Sequence, residues 1–372
     1  MRMSFRLGKL FGIPIRINYT WFLIFILVTL SLAIGEFPRR YPGSAVGAYW
    51  VAGILGSLLL FGSVLAHELA HSLVARSRGV PVRDITLFLF GGVSSIEQEV
   101  RRPEEELWMA GVGPGTSLAL ALVFAVIGLA LRRVSGLVGG FFVYLATVNG
   151  GLAAFNLLPG LPLDGGRILR AIVWQVTGNY RRATAVAAMV GRGVAFLLIG
   201  GGILIAFSLD WFSGLWLAFV GWFMENAATQ SYRSVLIQEA LRGVTVANLM
   251  TPDCTRVPRG MSVAELVDHY VFPHGRRCFI VADGEMLEGL ITVHNVRDLP
   301  RERWPFTPVG EIMIPLARLV LAHLQEDAFE VMKRMDERNV NQMPVEQDGR
   351  IVGMIARENL IRYMRTRAEL GM

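Results

Sequence analysis

Cysteine and charged residues are both scarce in this chain of 372 residues. Its two cysteines, Cys254 and Cys278, are too few for a disulfide-stapled scaffold or a zinc module built on cysteine. Charged residues make up 18%, against about 25% in a typical soluble domain. Hydrophobic residues make up 53%, which excludes a disordered chain and argues against a fully soluble enzyme. This composition predicts a membrane protein with a further domain attached.

The net charge of +6 is the one feature that would suit a nucleic-acid-binding protein. In so apolar a chain, the excess of basic residues in the cytoplasmic loops of membrane proteins explains the charge better. We therefore expect the lipid bilayer as a partner and no nucleic acid.

Long apolar runs occupy the chain from about Asn18 to Gln230, and mixed-charge globular sequence follows Glu239. A membrane-spanning helix needs about 20 mostly apolar residues. The first run follows basic residues, as in a signal peptide, but no small-residue cleavage site follows it, which favours a retained span. We predict a polytopic α-helical membrane domain over residues 1–230 with about six transmembrane helices: Tyr19–Gly35, Ala48–Val74, Met109–Leu131, Leu137–Leu158, Ala183–Ser208 and Phe212–Ala228.

Basic residues are concentrated at the amino terminus and in the second and fourth loops between these predicted spans. Short loops rich in lysine and arginine remain in the cytoplasm. An even number of spans then places both termini in the cytoplasm. The expected location is the cell membrane if the organism is prokaryotic.

The segment Val82–Ile96 is too short to span a membrane as a helix. It alternates β-forming residues around Gly91–Gly92, which predicts a β-hairpin. Such backbone lies at membrane depth only where protein buries it or where it lines a wet cavity. A membrane-associated hairpin and an ordinary cytoplasmic hairpin both remain open.

The second predicted span contains the sequence HELAH, with His67 and His71 four residues apart. Residues i and i+4 share a helix face, so both imidazoles can bind one metal ion, and Zn²⁺ suits them. Glu68 can reach a metal-bound water without being a ligand. The pattern alone also arises by chance, but ionisable groups at membrane depth are costly and seldom present without a function. A zinc site is therefore predicted here.

A third ligand is expected in the segment NLLPGLPLDGGR (Asn156–Arg167), where Asp164 is the candidate. The prolines and glycines of this segment predict irregular backbone, which at membrane depth belongs beside a protein-lined cavity. The alternative is that Asp164 only caps a helix that begins at Gly165. The spacing by itself favours neither role.

HELAH in one transmembrane helix, followed about ninety residues later by NLLPGLPLDGG, resembles the site-2 protease family of intramembrane zinc metalloproteases. The resemblance covers roughly residues 1–230, and ITLFLFGG and GVGP add to it less specifically. It implies that His67, His71 and Asp164 bind one zinc ion and that Glu68 is the general base. It also implies that Asn156 helps to hold the substrate or the oxyanion. An interhelical hydrogen bond is the alternative for Asn156, and more so for Asn149.

The same resemblance implies membrane-protein substrates with one transmembrane helix, often cut first by another protease, whose cleavage releases a regulator. Helix-breaking residues should mark the cleavage point, because a helix hides its carbonyls in its own hydrogen bonds. There is no room between the spans for an inserted PDZ domain, unlike one branch of the family. A regulated transporter or channel is the rival interpretation, and a catalytically silent relative that binds helices is another. The glutamate between two histidines favours the protease.

From Val246 the sequence nearly repeats itself with a period of about sixty-four residues. Met250 matches Met313, and Gly289 matches Gly353. Each copy predicts the order strand, helix, strand, turn, strand, helix, which resembles a pair of cystathionine-β-synthase (CBS) domains. We expect a linker over residues 231–243 and a cytosolic α/β CBS pair over residues 244–303 and 304–368.

CBS pairs often bind adenine nucleotides through a serine or threonine and an aspartate three residues apart. The first copy offers Thr292 and Asn295, and the second offers only Ala356 and Asn359. The resemblance therefore implies at most one ordinary nucleotide site, which Arg276–Arg277 could assist unless these arginines only face solvent. The alternative is that the pair serves only substrate contact or dimerisation, and a homodimer through the CBS domains is an expected partner.

Overall fold

The computed structural model describes residues 4–89, 91–96, 102–252, 255–275, 278–283, 286–348 and 350–370. The chain divides into two compact units, Met1–Val235 and Leu236–Met372. The predicted pair Arg276–Arg277 lies outside the described residues.

The first unit is built mainly from long apolar helices. Its helices are α1 (Thr20–Leu30), α2 (Phe37–Arg40), α3 (Val46–Ser77), α4 (Pro103–Leu131), α5 (Gly136–Asn156), α6 (Asp164–Thr177), α7 (Tyr180–Ser208) and α8 (Trp211–Leu241). A π-helical turn joins α1 to α2, so that Thr20–Arg40 forms one apolar segment. Among the described residues, five segments are long and apolar enough to cross a membrane: Thr20–Arg40, α3, α4, α5 and α7. The predicted multi-pass helical architecture is confirmed.

The sixth predicted span, Phe212–Ala228, lies in α8, which is not among these five. The cause is local sequence, because Glu225 and Asn226 interrupt the apolar run of this helix. By length and composition, five of the six predicted spans are therefore recovered among the described residues. The segment predicted as a linker is also largely helical, because α8 continues to Leu241.

A four-stranded sheet, in the order β1-β2-β3-β4, packs against α1 and α3. Its strands are β1 (Ser4–Leu10), β2 (Ile13–Asn18), β3 (Val82–Phe88) and β4 (Gly91–Ile96). The antiparallel pair β3 and β4 confirms the predicted hairpin. β2 joins it in parallel, with Ile15 opposite Ile85, because alternate residues of β2 are buried against the core. Sequence analysis missed β1 and β2 and treated this segment only as a basic amino terminus.

The second unit contains two copies of one strand topology. Its helices are α9 (Val246–Leu249), α10 (Val263–Leu266), α11 (Phe272–His274), α12 (Val293–Arg297), α13 (Val309–Ile312), α14 (Ala328–Arg338) and α15 (Arg357–Glu369). Its strands are β5 (Arg256–Val257), β6 (Cys278–Asp283), β7 (Met286–Thr292), β8 (Ile314–Pro315), β9 (Ala322–His323), β10 (Gln342–Gln347) and β11 (Arg350–Ala356). In both copies a short strand pairs in parallel with the first strand of an antiparallel hairpin. The predicted internal repeat is confirmed.

The two copies pack on each other through equivalent residues. A Cβ atom at Gly353 would lie 2.9 Å from Sδ of Met250, and one at Gly289 would lie 3.1 Å from Sδ of Met313. Each glycine therefore packs against the methionine near the start of the other copy. This reciprocal contact explains why the glycines and methionines recur with the period of the repeat.

Candidate metal centre

Helix α3 places both histidines of HELAH on its buried face. His67 and His71 are each 4% exposed, and their Nε2 atoms lie 3.2 Å apart. The apolar residues around them form a continuous helix, and the spacing of four aligns the two rings. Glu68 follows on an adjacent face and is only partly buried.

Asp164 is the first residue of α6, and its carboxylate reaches the two histidines. Its Oδ2 atom lies 3.1 Å from Nε2 of His67 and 3.2 Å from Nε2 of His71. The residue in the capping position is Leu163, so Asp164 does not cap a helix that begins at Gly165, and that alternative is wrong. The carboxylate is instead directed toward α3, 97 residues away from His67 in sequence.

Glycines allow the chain before α6 to fold tightly enough to place Asp164. A Cβ atom at Gly166 would lie 2.1 Å from the carbonyl carbon of Gly160, and one at Gly165 would lie 2.3 Å from the carbonyl oxygen of Leu157. Helix α7 closes on the same loop, because a Cβ atom at Gly191 would lie 2.1 Å from the carbonyl oxygen of Leu161. The motif glycines therefore permit close contact between backbones.

The three ligand atoms fit a divalent cation by distance. His67, His71 and Asp164 form the one cluster of this kind among the described histidine, cysteine and acidic side chains. Their ligand atoms are 3.1–3.2 Å apart. A tetrahedral zinc ion with bonds of about 2.0–2.1 Å holds its ligand atoms about 3.3 Å apart. The triangle therefore has the size that zinc requires.

Proton positions support the same conclusion. Nδ1 of His71 lies 2.6 Å from the carbonyl oxygen of Met109, which can only accept, so Nδ1 donates. In a neutral imidazole Nε2 is then unprotonated. This lone pair faces a carboxylate oxygen and a second imidazole nitrogen, and a bound cation would relieve their repulsion.

Helix α4 contributes three features that sequence analysis did not single out by residue. Met109 bonds to His71, and Oγ of Ser117 lies 2.9 Å from Nδ1 of His67. A Cβ atom at Gly113 would lie 2.1 Å from Nε2 of His71. The stretch GVGP contains this glycine, but nothing in the sequence relates Ser117 or Met109 to α3.

Glu68 contacts the second strand of the hairpin. Oγ of Ser94, in β4, donates to Oε2 of Glu68 over 2.7 Å. A Cβ atom at Gly92 would lie 2.4 Å from Cγ of Glu68. The hairpin therefore orients the candidate base, and the second glycine of the sequence GG leaves room for its side chain.

A buried ion pair connects α4 to α6. Glu106 is 1% exposed and is paired with Arg170, whose guanidinium lies 5.0 Å from the ring centre of Tyr180. Arg167 lies 4.0 Å from the same carboxylate. Since α6 begins at Asp164, this pair holds the helix that carries the third candidate ligand.

The two asparagines of α5 do not join this cluster. Asn156 is the last residue of α5 and is partly buried. Asn149 is fully buried, and its Nδ2 donates to the carbonyl oxygen of Leu145 in its own helix over 2.9 Å. The interhelical hydrogen bond expected of Asn149 is therefore replaced by a bond within α5, while the role of Asn156 stays a prediction.

In the second unit, Thr292 and Asn295 bond to each other. Oδ1 of Asn295 accepts from the Thr292 N–H over 3.0 Å and from its hydroxyl over 2.6 Å, which caps α12. The equivalent Asn359 accepts from the N–H of Ala356 over 3.0 Å. Both pairs stabilise a helix start, and nucleotide binding at Thr292 and Asn295 stays a prediction.

Comparison with known proteins gives consistent matches over both units. Residues 55–135 and 132–200 match the profile of Peptidase family M50, and residues 309–366 match that of the CBS domain. Two relatives are named as zinc metalloproteases. Sll0528 of Synechocystis sp. is 35% identical over 99% of this chain and 97% of its own length. Rip3 of Mycobacterium tuberculosis is 36% identical over 98% of this chain and 93% of its own length.

Solved structures are also similar to parts of this chain. The Site-2 Protease from Methanocaldococcus jannaschii is 30% identical and aligns with 62% of this chain and 95% of its own, with a TM-score of 0.43.

Proposed function

Because the chain belongs to peptidase family M50, the site-2 proteases, and is a zinc metalloprotease of that family, we propose that it hydrolyses peptide bonds within or near transmembrane helices of membrane-protein substrates. One observation carries the proposal. The ligand atoms of His67, His71 and Asp164 lie within 3.2 Å of one another, and both histidines are on α3, a helix that is apolar and long enough to span a membrane. A site at this position meets substrates that are themselves in the membrane.

In the proposed mechanism His67, His71 and Asp164 hold one zinc ion. Zinc supplies, when bound, Lewis acidity toward a water molecule and a peptide carbonyl. The carboxylate of Glu68 takes the proton of the attacking water and later returns it to the leaving amine. Ser94 holds this carboxylate in place through its hydrogen bond to Oε2. Asn156, at the end of α5, is proposed to hold the substrate backbone.

The substrate must unwind before cleavage, because a transmembrane helix engages its carbonyl groups in its own hydrogen bonds. Helix-breaking residues such as glycine and proline are therefore expected at the cleavage point. A single-span protein carrying such residues is the proposed substrate class.

The test compares wild type with Glu68→Gln on a single-span test substrate in liposomes, with zinc content measured on the same samples. Both proteins should retain about one zinc ion per chain, and only wild type should cut, with a loss of at least about 10³-fold for the variant. Glu104→Gln is the matched control, because Glu104 is an exposed carboxylate on α4. Wild type without zinc would overturn the site, and zinc without cutting in wild type would favour a silent helix-binding relative.

Both termini are proposed to face the cytoplasm, which requires α8 to cross the membrane although it is not among the five segments identified above by length and composition. The support is its exposed apolar surface between Trp211 and Trp222, where Trp211 and Phe212 are each 67% exposed. Aromatic rings of this kind suit the membrane and its interface.

Orientation can be measured by cysteine labelling in intact cells, after both native cysteines are replaced by serine. Val134→Cys, in the α4–α5 turn, should react with a membrane-impermeant maleimide. Arg362→Cys, on α15, should react only after the cells are permeabilised. Labelling of Arg362→Cys in intact cells would place the second unit outside.

The CBS pair is proposed to modulate cleavage, by adenine nucleotide at Thr292 and Asn295 or by dimerisation. The internal repeat of the second unit supports a CBS pair, and the hydroxyl of Thr292 is retained only in the first copy. Cleavage rates measured with and without ATP, in wild type and Thr292→Ala, test the nucleotide. An effect of ATP that Thr292→Ala leaves unchanged would exclude this site.

A further inference from the structure

One face of α4 lies against both candidate histidine ligands and against α6, the helix that carries Asp164. Glu106, Met109, Gly113 and Ser117 follow at spacings of three or four residues, which places them on one side of the helix. All four are buried. They contact, respectively, Arg170 of α6, the ring of His71, both histidine Nε2 atoms and the ring of His67.

We propose that Ser117 is a positioning residue for the metal, a role that rests on the zinc site proposed above. Oγ of Ser117 lies 2.9 Å from Nδ1 of His67, and we assign the tautomer in which Nδ1 carries the proton and donates to this oxygen, because a ring that binds a metal through Nε2 requires it. Nε2 of the same ring is then unprotonated and directed at Asp164, 3.1 Å away. A metal-binding histidine is generally oriented by a partner at its other ring nitrogen, and losing that partner weakens metal binding about 10–100-fold.

The two histidines differ in how they are held. The partner of His71 is the backbone carbonyl of Met109, which no side-chain substitution removes. The partner of His67 is a side chain, so its contribution can be removed by replacing a single hydroxyl. Because of this difference, a substitution at Ser117 can test the orientation of His67 alone.

The hydroxyl of Ser117 also has a different kind of partner from Thr116, its neighbour on α4, and from Ser63 on α3. Thr116 donates to the carbonyl of Val112 over 2.8 Å, and Ser63 donates to that of Leu59 over 2.9 Å, each within its own helix. Such local bonds are the usual solution for hydroxyls in helices. Ser117 is fully buried and bonds to a histidine on a different helix. Its partner is therefore a candidate metal ligand, which is not the case for Thr116 or Ser63.

The experiment compares Ser117→Ala with Thr116→Val in the full chain, purified in detergent. Zinc affinity is measured by competition with a chromophoric chelator, and the visible spectrum of the Co²⁺-loaded protein reports ligand geometry. Ser117→Ala should bind zinc about 10–100-fold more weakly and alter the Co²⁺ spectrum. Thr116→Val should remain within about twofold of wild type, because its hydroxyl contacts only its own helix.

Thermal unfolding of the metal-free proteins separates positioning from packing. If the hydroxyl served only packing, its removal would lower the unfolding midpoint of the metal-free protein and would have no specific effect on zinc affinity. Zinc affinity within twofold of wild type for Ser117→Ala would overturn the proposal, as would an equal loss in both variants. Absence of zinc from wild type would instead remove the proposed site itself.

Discussion

At the scale of single residues, the candidate metal centre depends on glycines, which leave room for the functional side chains, as much as on those side chains themselves. Gly113 on α4 and Gly92 on β4 face His71 and Glu68 so closely that a methyl group would overlap them. The neighbouring Gly111 and Gly115 of α4 have no atom within 4 Å of a hypothetical Cβ. Close approach, and not backbone flexibility, is therefore the reason for glycine at position 113.

Gly113→Ala should abolish the metal site, because its Cβ atom would lie 2.1 Å from Nε2 of His71 and 2.7 Å from Nε2 of His67. We expect zinc affinity to fall by about 100-fold or more, as for overpacking directly at a ligand. Gly111→Ala should bind zinc normally. Zinc titration of both variants checks this, and normal binding by Gly113→Ala would mean that α4 lies farther from the histidines.

At the scale of elements, the loop before α6 and helix α7 form one unit of packing. The Leu161 N–H donates to the carbonyl of Ala187 over 3.1 Å, and Gly191 lies directly against Leu161 and Gly160. The position of Asp164 therefore depends on a helix that contributes no ligand of its own. Prolines and glycines in NLLPGLPLDGG made an irregular loop predictable, but its packing partner was not predictable from local sequence.

Gly191→Ala should displace this loop, since its Cβ atom would lie 2.1 Å from the Leu161 carbonyl oxygen. Overpacking of this kind costs about 1–3 kcal/mol, so both the thermal midpoint and zinc affinity should fall. Gly193→Ala is the control, because its Cβ atom would have no neighbour within 4 Å. A stable Gly191→Ala protein with unchanged zinc affinity would contradict the coupling between α7 and Asp164.

At the scale of the whole molecule, the chain consists of two compact units with separate cores. The zinc ligands lie in the first, and the reciprocal glycine–methionine contacts lie in the second. A defect in the packing of the CBS repeat should therefore leave metal binding intact.

Gly289→Ala should test this separation, because its Cβ atom would lie 2.4 Å from the carbonyl oxygen of Ile314. We expect the free energy of unfolding of the second unit to fall by about 1–3 kcal/mol, while the zinc content stays at the wild-type level. Gly260→Ala, at a position open to solvent, should change neither. Differential scanning calorimetry with zinc analysis makes the comparison, and a loss of zinc in Gly289→Ala would show that the units are coupled.

The sequence by itself determined the chemistry and the class of fold. Histidines four residues apart on an apolar helix must share a face, and apolar runs of this length cannot be buried in a small soluble core. The period of the second unit likewise made two copies of one topology predictable.

Only the tertiary structure decided which distant groups meet. Asp164 could have capped a helix, and the structure directs it instead at His67 and His71. Ser117, Met109 and the pairing of β2 with β3 depend on contacts between segments far apart in the chain. Local sequence carries no signal for such contacts, because they are selected by the packing of whole helices and strands against each other.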